Sequence, residues 1–254
     1  MITSRLPTEA LKTRLKSGPA VGCHWLSLGS PAVAELAADA SPDAIVIDMQ
    51  HGLWDRSSLE SAIGAVAGRA PVLVRVADQS DYAIGSALDA GAHGVIAPMV
   101  NTAAECAKVV SATQYPPVGH RSGGGARTSA DFAGYRAAAG RLVASIMIET
   151  AAAVEAAEAI AGTPGLDMIF IGPGDLSLSL ESAQGTPKFE AAVAKVMAAG
   201  RAAGVPVGIF TVSLDQAIAR AKEGHAFVVA AYDVAIARTA NAAIARFRSE
   251  GAAS

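Results

Sequence analysis

Eight short runs of apolar, β-branched residues recur along the chain, and alanine-rich segments of helical character separate them. Each run is apolar on both faces, as strands of a parallel sheet are when helices cover both sides. Eight such strands alternating with helices predict a (β/α)8 barrel with further helices at the two ends of the chain. The predicted strands are residues 23–28, 44–48, 72–76, 94–99, 143–149, 168–173, 205–210 and 225–232.

Capping patterns between these runs predict where several helices begin. Three of the predicted caps are Ser30, Asn101 or Thr102, and Ser213. A proline follows the first cap, Glu105 lies in the first turn after the second, and Gly224 follows the third helix. A doubly wound open sheet is the alternative fold, but the glycine fingerprint expected after its first strand is missing.

The composition suits one large α/β unit, which we expect to span residues 1–254 as a single domain. Hydrophobic residues make up 52% of the chain and aromatic residues only 5%, so we expect an interior of Ala, Val, Ile and Leu. The formal net charge is −3 and no basic run stands out. Nucleic acids and anionic membranes are therefore not expected as partners, whereas small molecules are.

Two cysteines, Cys23 and Cys106, lie apart in apolar surroundings, which favours reduced structural thiols over a disulfide. The N-terminal residues 1–18 carry charges where a signal sequence would have an apolar segment. No apolar run is long enough to span a bilayer. We therefore expect a soluble protein of the cytoplasm.

Polar residues that end the predicted strands define a candidate site, because catalytic groups of barrels lie at the carboxyl ends of the strands. One further acid, Asp89, lies in the helix after the third strand. The residues at or just after strand ends are Asp48, His51, Arg75, Glu149 and Asp175.

Glu149 and Asp175 follow neighbouring strands and predict a site for a hard cation such as Mg²⁺. A structural zinc site is not expected, because no Cys or His cluster has ligand spacing. Two solvated strand-end acids are the alternative interpretation. The Gly-Pro-Gly segment 172–174 favours a site, since such a tight turn exposes backbone N–H groups to a ligand carboxylate.

Arg75 and His51 each allow a structural and a catalytic interpretation. Arg75 interrupts a β-branched run, and a buried guanidinium needs an anion nearby, either a strand-end acid or the developing charge of a substrate oxygen. His51 is either a hydrogen-bonded histidine or a base whose ring is oriented by Asp48 or by Asp89. No lysine ends a predicted strand, so carbonyl chemistry here would require a metal rather than a Schiff base.

The connection between the fourth and fifth predicted strands is about twice as long as the next one and is rich in Gly and Pro. It contains Arg121 and Arg127. Two interpretations stay open, a mobile surface loop or a lid on the strand-end face where barrel sites lie.

The chain resembles the HpcH/HpaI family of metal-dependent 2-oxo acid aldolases, including 4-hydroxy-2-oxoheptanedioate and 2-dehydro-3-deoxygalactarate aldolases. The matching motifs are "WLSLGSP", "VIDMQHG", "VLVRV", "PMVNTAAECAKVVSATQYPPVGHRS", "IET" and "FIGPGDLS". The resemblance implies a (β/α)8 barrel, a divalent cation (Mg²⁺, Mn²⁺ or Co²⁺) and homo-oligomers, often hexamers, in which neighbouring subunits complete the site. It implies that Glu149 and Asp175 are the metal ligands.

The reaction implied by the resemblance is the reversible cleavage of a 4-hydroxy-2-oxo acid into pyruvate, or hydroxypyruvate, and an aldehyde, as in the breakdown of aromatic compounds or sugar acids. His51 corresponds to the catalytic base, Arg75 to the residue that stabilises the enolate, and Asp89 to the acid that raises the basicity of the histidine. The implied substrate-binding positions are Arg75, Met147, Gly174 and Asp175.

Three positions depart from the better-known members. Met147 replaces a substrate-binding Gln, Gln50 replaces a common Glu, and Met49 replaces a small residue. These changes leave the natural substrate open. A lyase acting on CoA esters of the citryl or malyl type and a non-catalytic barrel that binds oxo acids are the alternatives.

Overall fold

The eight predicted strands form a closed parallel barrel in chain order, as the sequence pattern predicts. The computed structural model describes residues 8–127 and 129–251. The strands are β1 (Val21–Leu26), β2 (Ala44–Asp48), β3 (Val72–Arg75), β4 (Gly94–Ala97), β5 (Val143–Ile148), β6 (Met168–Ile171), β7 (Val207–Ile209) and β8 (Phe227–Tyr232).

Helices surround the barrel, and the predicted terminal helices are present as the first and last of them. Two short 3₁₀ turns, Ser129–Asp131 and Ala139–Arg141, lie before β5. The helices are α1 (Thr8–Ser17), α2 (Pro31–Asp39), α3 (Arg56–Val66), α4 (Asp81–Asp89), α5 (Ala103–Thr113), α6 (Phe132–Ala137), α7 (Ala151–Glu155), α8 (Ala157–Ala161), α9 (Pro173–Ser179), α10 (Pro187–Ala203), α11 (Leu214–Lys222) and α12 (Val234–Glu250).

The predicted helix caps are confirmed. Ser30 caps α2 with proline at the first helical position, and Ser213 caps α11. Thr102, rather than Asn101, is the N-cap of α5, and Glu105 completes the capping box with it. A hydroxyl that accepts an N–H from the first turn satisfies a donor that the helix itself cannot pair.

Most buried residues are Ala, Val, Ile and Leu, as the composition predicts, but three aromatic side chains lie at the centre of the barrel. Trp25, Phe170 and Phe227 are fully buried inside the barrel, and the Trp25 and Phe170 rings stack with centroids 5.6 Å apart. Gly208 makes room for them, because a Cβ there would lie 3.0 Å from Phe170 Cδ2. Mostly aliphatic side chains, with a few aromatic ones such as Trp54 and Phe189, fill the larger layer between the strands and the outer helices.

Strand register brings the chemistry-bearing residues to one end of the barrel. Asp48 and Arg75 are register partners on β2 and β3, at the carboxyl ends of both strands. Met147 on β5 pairs with Phe170 on β6. Because alternate residues of a strand face the same side, Met147 and Glu149 face the barrel interior together.

Both cysteines are free and buried, as expected for structural thiols. None of the helices within 8–127 and 129–251 is long and apolar enough to cross a membrane. The N-terminal stretch that lacks a signal pattern includes residues 1–7, which lie outside the described residues.

Candidate active site

Asp48 and Arg75 form a buried ion pair at the barrel rim. Arg75 Nε donates to Asp48 Oδ1 at 2.8 Å, and Arg75 Nη2 donates to Asp48 Oδ2 at 2.5 Å. Asp48 is 2% exposed and Arg75 is 9% exposed. Asp48 is therefore the strand-end acid that the sequence allowed as a structural partner of Arg75, and the two hydrogen bonds fix the plane of the guanidinium. Arg75 Nη1 donates to no acceptor within the described residues, so it is available to a ligand.

Asp48 also organises the turn that follows β2. Its Oδ1 accepts the backbone N–H groups of Gln50 at 3.1 Å and His51 at 3.2 Å. Burial opposes ionisation of Asp48, but the hydrogen bonds and charge of Arg75 outweigh it and lower the pKa of this carboxyl. Asp48 thus holds the backbone of His51 and not its imidazole ring. The ring is exposed.

Glu149 directly follows β5 and is 1% exposed. Its Oε1 accepts the Met99 N–H at 2.6 Å. Burial raises the pKa of Glu149, the hydrogen bond from Met99 opposes this in part, and the charge of Asp175 raises it further. A buried carboxylate beside a second acid is electrostatically unfavourable unless a cation offsets it.

Gly172 provides the space in which the second Glu149 oxygen lies. A Cβ at this position would lie 2.4 Å from Glu149 Oε2 and 2.8 Å from Met147 Cε. The turn continues through Gly174, whose Cβ position meets no atom within 4 Å and so faces open space. Asp175, in the first turn of α9, is half-buried.

The donor set fits a hard divalent cation. Glu149 Oε2 accepts no hydrogen bond from the residues described, and Asp175 is close enough for its charge to raise the pKa of Glu149. Oxygen ligands and negative charge are what Mg²⁺ or Mn²⁺ require. Within the described ranges no group of three or more His, Cys, Asp or Glu side chains is placed to hold a metal. Glu149 and Asp175 are thus two carboxylates whose chemistry fits a hard cation that takes its remaining ligands from water and substrate.

The wall around this site is apolar. Met147 is 2% exposed and offers a thioether where a glutamine would offer an amide. Trp25 makes an edge contact with Phe210, centroids 5.1 Å apart, and Phe210 makes one with Tyr232 at 5.7 Å. The Arg75 guanidinium carbon lies 5.1 Å from the centre of the Trp25 ring. Polar contacts to a substrate therefore come from Arg75 and Glu149, which lie beside these apolar side chains.

Asp89 makes no hydrogen bond to His51 among the described residues. It is the last residue of α4, and helix ends in this topology lie at the amino-terminal edge of the barrel, opposite the rim that carries His51. Its carboxylate accepts a hydrogen bond from Arg121 Nη2 at 2.6 Å.

The described arginines of the long connection before β5 contact the outer helices. The Arg121 guanidinium carbon lies 4.8 Å from the ring centre of Tyr115 and 5.2 Å from that of Tyr135. Arg127 donates to the carbonyls of Ala90 at 2.9 Å and Glu60 at 2.6 Å. Both arginines therefore tie the connection to the outer helices. Thr128 lies outside the described residues.

Every lysine of the chain lies in an outer helix, so the expectation that none ends a strand is confirmed. Sequence reasoning missed Trp25 and Ser27, which donate to Asp48 Oδ2 at 3.4 Å and 3.3 Å. The alternation of inward positions along β1 is a signal that would have found them. It also missed Met99, for whose N–H contact with Glu149 the sequence has no signal.

The chain is similar to known proteins over most of its length. A family model described as HpcH/HpaI aldolase/citrate lyase matches residues 22–240. A protein of Rhizorhabdus wittichii named "Hydroxypyruvate/pyruvate aldolase" is 42% identical over 221 residues, 84% of this chain and 87% of that protein. A "4-hydroxy-2-oxovalerate aldolase" of Novosphingobium aromaticivorans is 36% identical over 211 residues, 78% and 80% of the two chains. The crystal structure of an HpcH/HpaI aldolase/citrate lyase family protein from Burkholderia cenocepacia has a TM-score of 0.87 at 33% identity and covers 94% of this chain and 99% of that one.

Proposed function

The chain belongs to the HpcH/HpaI aldolase/citrate lyase family, and from this we infer that it is an aldolase of pyruvate-type donors. The reaction is the reversible cleavage of a 4-hydroxy-2-oxo acid into pyruvate, or hydroxypyruvate, and an aldehyde. Both relatives described above are named as aldolases, which favours this reaction over the cleavage of CoA esters.

One observation supports the proposal most directly. The Glu149 carboxylate is buried, its pKa is raised, and its Oε2 lies over the turn that leads to Asp175. A non-catalytic scaffold gains nothing from burying Glu149 beside a second acid whose charge raises the Glu149 pKa. A cation site explains why both are present.

We expect Glu149 and Asp175 to hold Mg²⁺, Mn²⁺ or Co²⁺. Such a cation supplies a Lewis acid that polarises the carbonyl of a 2-oxo acid. The remaining chemistry belongs to side chains of this chain.

Arg75 stabilises negative charge on the substrate. Asp48 holds its Nε and Nη2, so Nη1 donates toward the oxygen that gains charge when a proton leaves C3 of pyruvate. A guanidinium that is already oriented reorganises little during the reaction. Trp25 excludes water from one face of it.

His51 moves the proton. Its backbone is held by Asp48, and its exposed ring reaches the rim where substrate enters. In cleavage a ring nitrogen accepts the proton of the C4 hydroxyl as the C3–C4 bond breaks, and a proton added at C3 completes pyruvate. In synthesis C3 loses that proton, the C3–C4 bond forms, and the ring returns a proton to the aldehyde oxygen. Met147 contributes no hydrogen bond, so recognition of the donor carboxylate depends on backbone groups near Gly174 and on Arg75.

We expect a homo-oligomer, and a hexamer is the state implied by the resemblance. No residue of α12 is buried, although Ile236, Ile244 and Phe247 form a stripe on it at helical spacing. A second copy that covers this stripe would also explain how Asp89 acts on a catalytic histidine. Asp89 can reach a histidine at the rim only if that histidine belongs to a neighbouring subunit.

Exchange of the methyl protons of pyruvate for deuterium tests the proposal. The metal-stripped protein in D₂O should exchange these protons only after Mg²⁺, Mn²⁺ or Co²⁺ is added, and ¹H NMR measures the rate. Glu149→Gln should abolish exchange, because a neutral amide cannot replace the carboxylate as a ligand. Glu155→Gln, on the exposed side of α7, is the matched control and should exchange like wild type.

Exchange that survives a chelator, or no exchange with any of the three cations, contradicts a metal-dependent aldolase. A CoA-ester lyase would instead cleave citryl-CoA or malyl-CoA without exchanging free pyruvate. A non-catalytic barrel would bind pyruvate and exchange nothing.

A further inference from the structure

Met99, in the turn after β4, has a left-handed backbone conformation beside Glu149. Its φ is 57°, a region that residues with a side chain rarely adopt. The Met99 side chain is 41% exposed, so packing of the side chain does not impose this conformation. Its N–H is the group that donates to Glu149 Oε1 at 2.6 Å. The unfavourable backbone conformation therefore occurs where the chain contacts the expected cation ligand.

Two side-chain amides hold the peptide groups on either side of Met99. Gln79 Nε2 donates to the Pro98 carbonyl at 3.0 Å and to the Met99 carbonyl at 2.8 Å. Asn101 Nδ2 donates to the same Met99 carbonyl at 2.9 Å. In a trans peptide the C=O and N–H point in opposite directions. Holding the Pro98 carbonyl toward Gln79 therefore turns the Met99 N–H toward Glu149.

Asn101 is anchored next to the same carboxylate. The Thr150 hydroxyl donates to Asn101 Oδ1, and Thr150 directly follows Glu149 in the chain. Thr150 also caps α7 by accepting the Ala153 N–H at 3.0 Å. Hydrogen bonds thus connect the ends of β4 and β5 in a closed ring that includes Glu149.

We propose that Gln79 and Asn101 are positioning residues of the cation site, which hold Met99 left-handed so that its N–H engages Glu149 Oε1 and leaves Oε2 for the cation. Oε2 then lies over Gly172, in the turn that leads to Asp175. The proposal rests on the proposed function, because it takes Glu149 to be a cation ligand.

Binding of Mn²⁺ to the metal-stripped protein, measured without substrate by the electron paramagnetic resonance signal of free Mn²⁺, tests this role. Gln79→Ala and Asn101→Ala should each bind Mn²⁺ about tenfold more weakly than wild type, the equivalent of one or two lost hydrogen bonds. Adding Met99→Gly to Gln79→Ala should recover affinity, because glycine adopts the left-handed conformation without the side-chain amide.

This recovery separates positioning from a general structural role. If Gln79 only stabilised the fold, Met99→Gly would leave the Mn²⁺ affinity of the double variant as low as that of Gln79→Ala. Gln114→Ala is the matched control, because Gln114 Nε2 also donates to a backbone carbonyl, that of Ala139 at 3.2 Å, away from the site. It should bind Mn²⁺ like wild type.

Wild-type affinity in both Gln79→Ala and Asn101→Ala, or an equal loss in Gln114→Ala, would overturn the proposal. If Gln79→Ala does not fold, Asn101→Ala with and without Met99→Gly gives the same comparison. Failure of the proposed function has a different signature, since wild type would then bind Mn²⁺ no better than Glu149→Gln.

Discussion

Asp48→Asn tests how strongly the buried ion pair supports the barrel rim. The Asp48 carboxylate accepts hydrogen bonds from six donors, two of them on Arg75. An asparagine is neutral and has only one acceptor oxygen. In either orientation of its amide, one nitrogen of the Arg75 guanidinium faces an NH₂ group.

The structure gives the expected size of this effect. Asp48 is 2% exposed and Arg75 is 9% exposed, and removing one charge of a buried pair costs about 3–5 kcal/mol. Asparagine keeps part of the hydrogen bonding, so we expect a loss of about 3 kcal/mol in the free energy of unfolding at pH 7. For a chain of this size that corresponds to a fall in Tm of roughly 6–12 °C.

The pH dependence provides a second measure. The pKa of Asp48 is lowered in the folded state, so its contribution to stability is present above the ordinary Asp pKa of about 3.9 and is lost as pH falls through the lowered value. The difference between wild type and Asp48→Asn should therefore shrink in acid below about pH 4. Urea denaturation at several pH values, followed by circular dichroism, measures both effects.

Asp43→Asn is the matched control. Asp43 also forms a bidentate pair, with Arg14, and the Nη2 to Oδ2 distance is 2.8 Å, but the side chains are 30% and 35% exposed. Exposed pairs contribute at most about 1 kcal/mol. If Asp48→Asn costs no more than Asp43→Asn, burial is not what makes the Asp48 pair strong, and the reasoning is refuted.

Three further predictions follow from the same structure. Gly172→Ala should destabilise the protein by about 1–3 kcal/mol and weaken Mn²⁺ binding, because its Cβ would lie 2.4 Å from Glu149 Oε2; calorimetry measures both. Arg75→Ala should lower turnover in the exchange assay by about 10²–10³-fold with a much smaller change in Mn²⁺ affinity. Burial lowers the pKa of His93 to about 4, so protonation of His93 should contribute a loss of about 3 kcal/mol in stability as pH decreases from 6.5 to 4, and His93→Asn should show a flatter unfolding profile over that window.

Each of these three predictions has a control variant or a result that would contradict it. Gly174→Ala adds a Cβ that meets no atom within 4 Å, so it should match wild-type stability, and an equal loss there would remove the steric argument for Gly172. Unchanged turnover in Arg75→Ala would remove its assigned role. Asparagine at position 93 can still accept the Val72 N–H that His93 Nδ1 accepts at 2.9 Å. An unchanged pH slope in that variant would therefore assign the loss to other groups.

Much of the candidate site follows from local pattern. Asp48, Arg75 and Glu149 end apolar runs, and parallel strands place such ends at one rim, so their proximity needs only the barrel topology. Asp175 lies in the first turn of α9, which begins with Gly172 as N-cap and Pro173 at the first helical position directly after β6. The partner of Asp89 does not follow from local pattern, because its pairing with Arg121 depends on how the connection before β5 packs against α4.

The sequence by itself determined the alternation of strands and helices, the helix caps and the types of residue at the strand ends, because these depend on periodicity and on neighbours a few positions apart. Only the tertiary structure decided that Asp48 pairs with Arg75 and accepts the backbone N–H of His51. It also decided that Arg121 pairs with Asp89 and that the Met99 N–H donates to Glu149. These contacts depend on strand register and on the direction of single peptide groups, which closure of the barrel sets and local sequence does not encode.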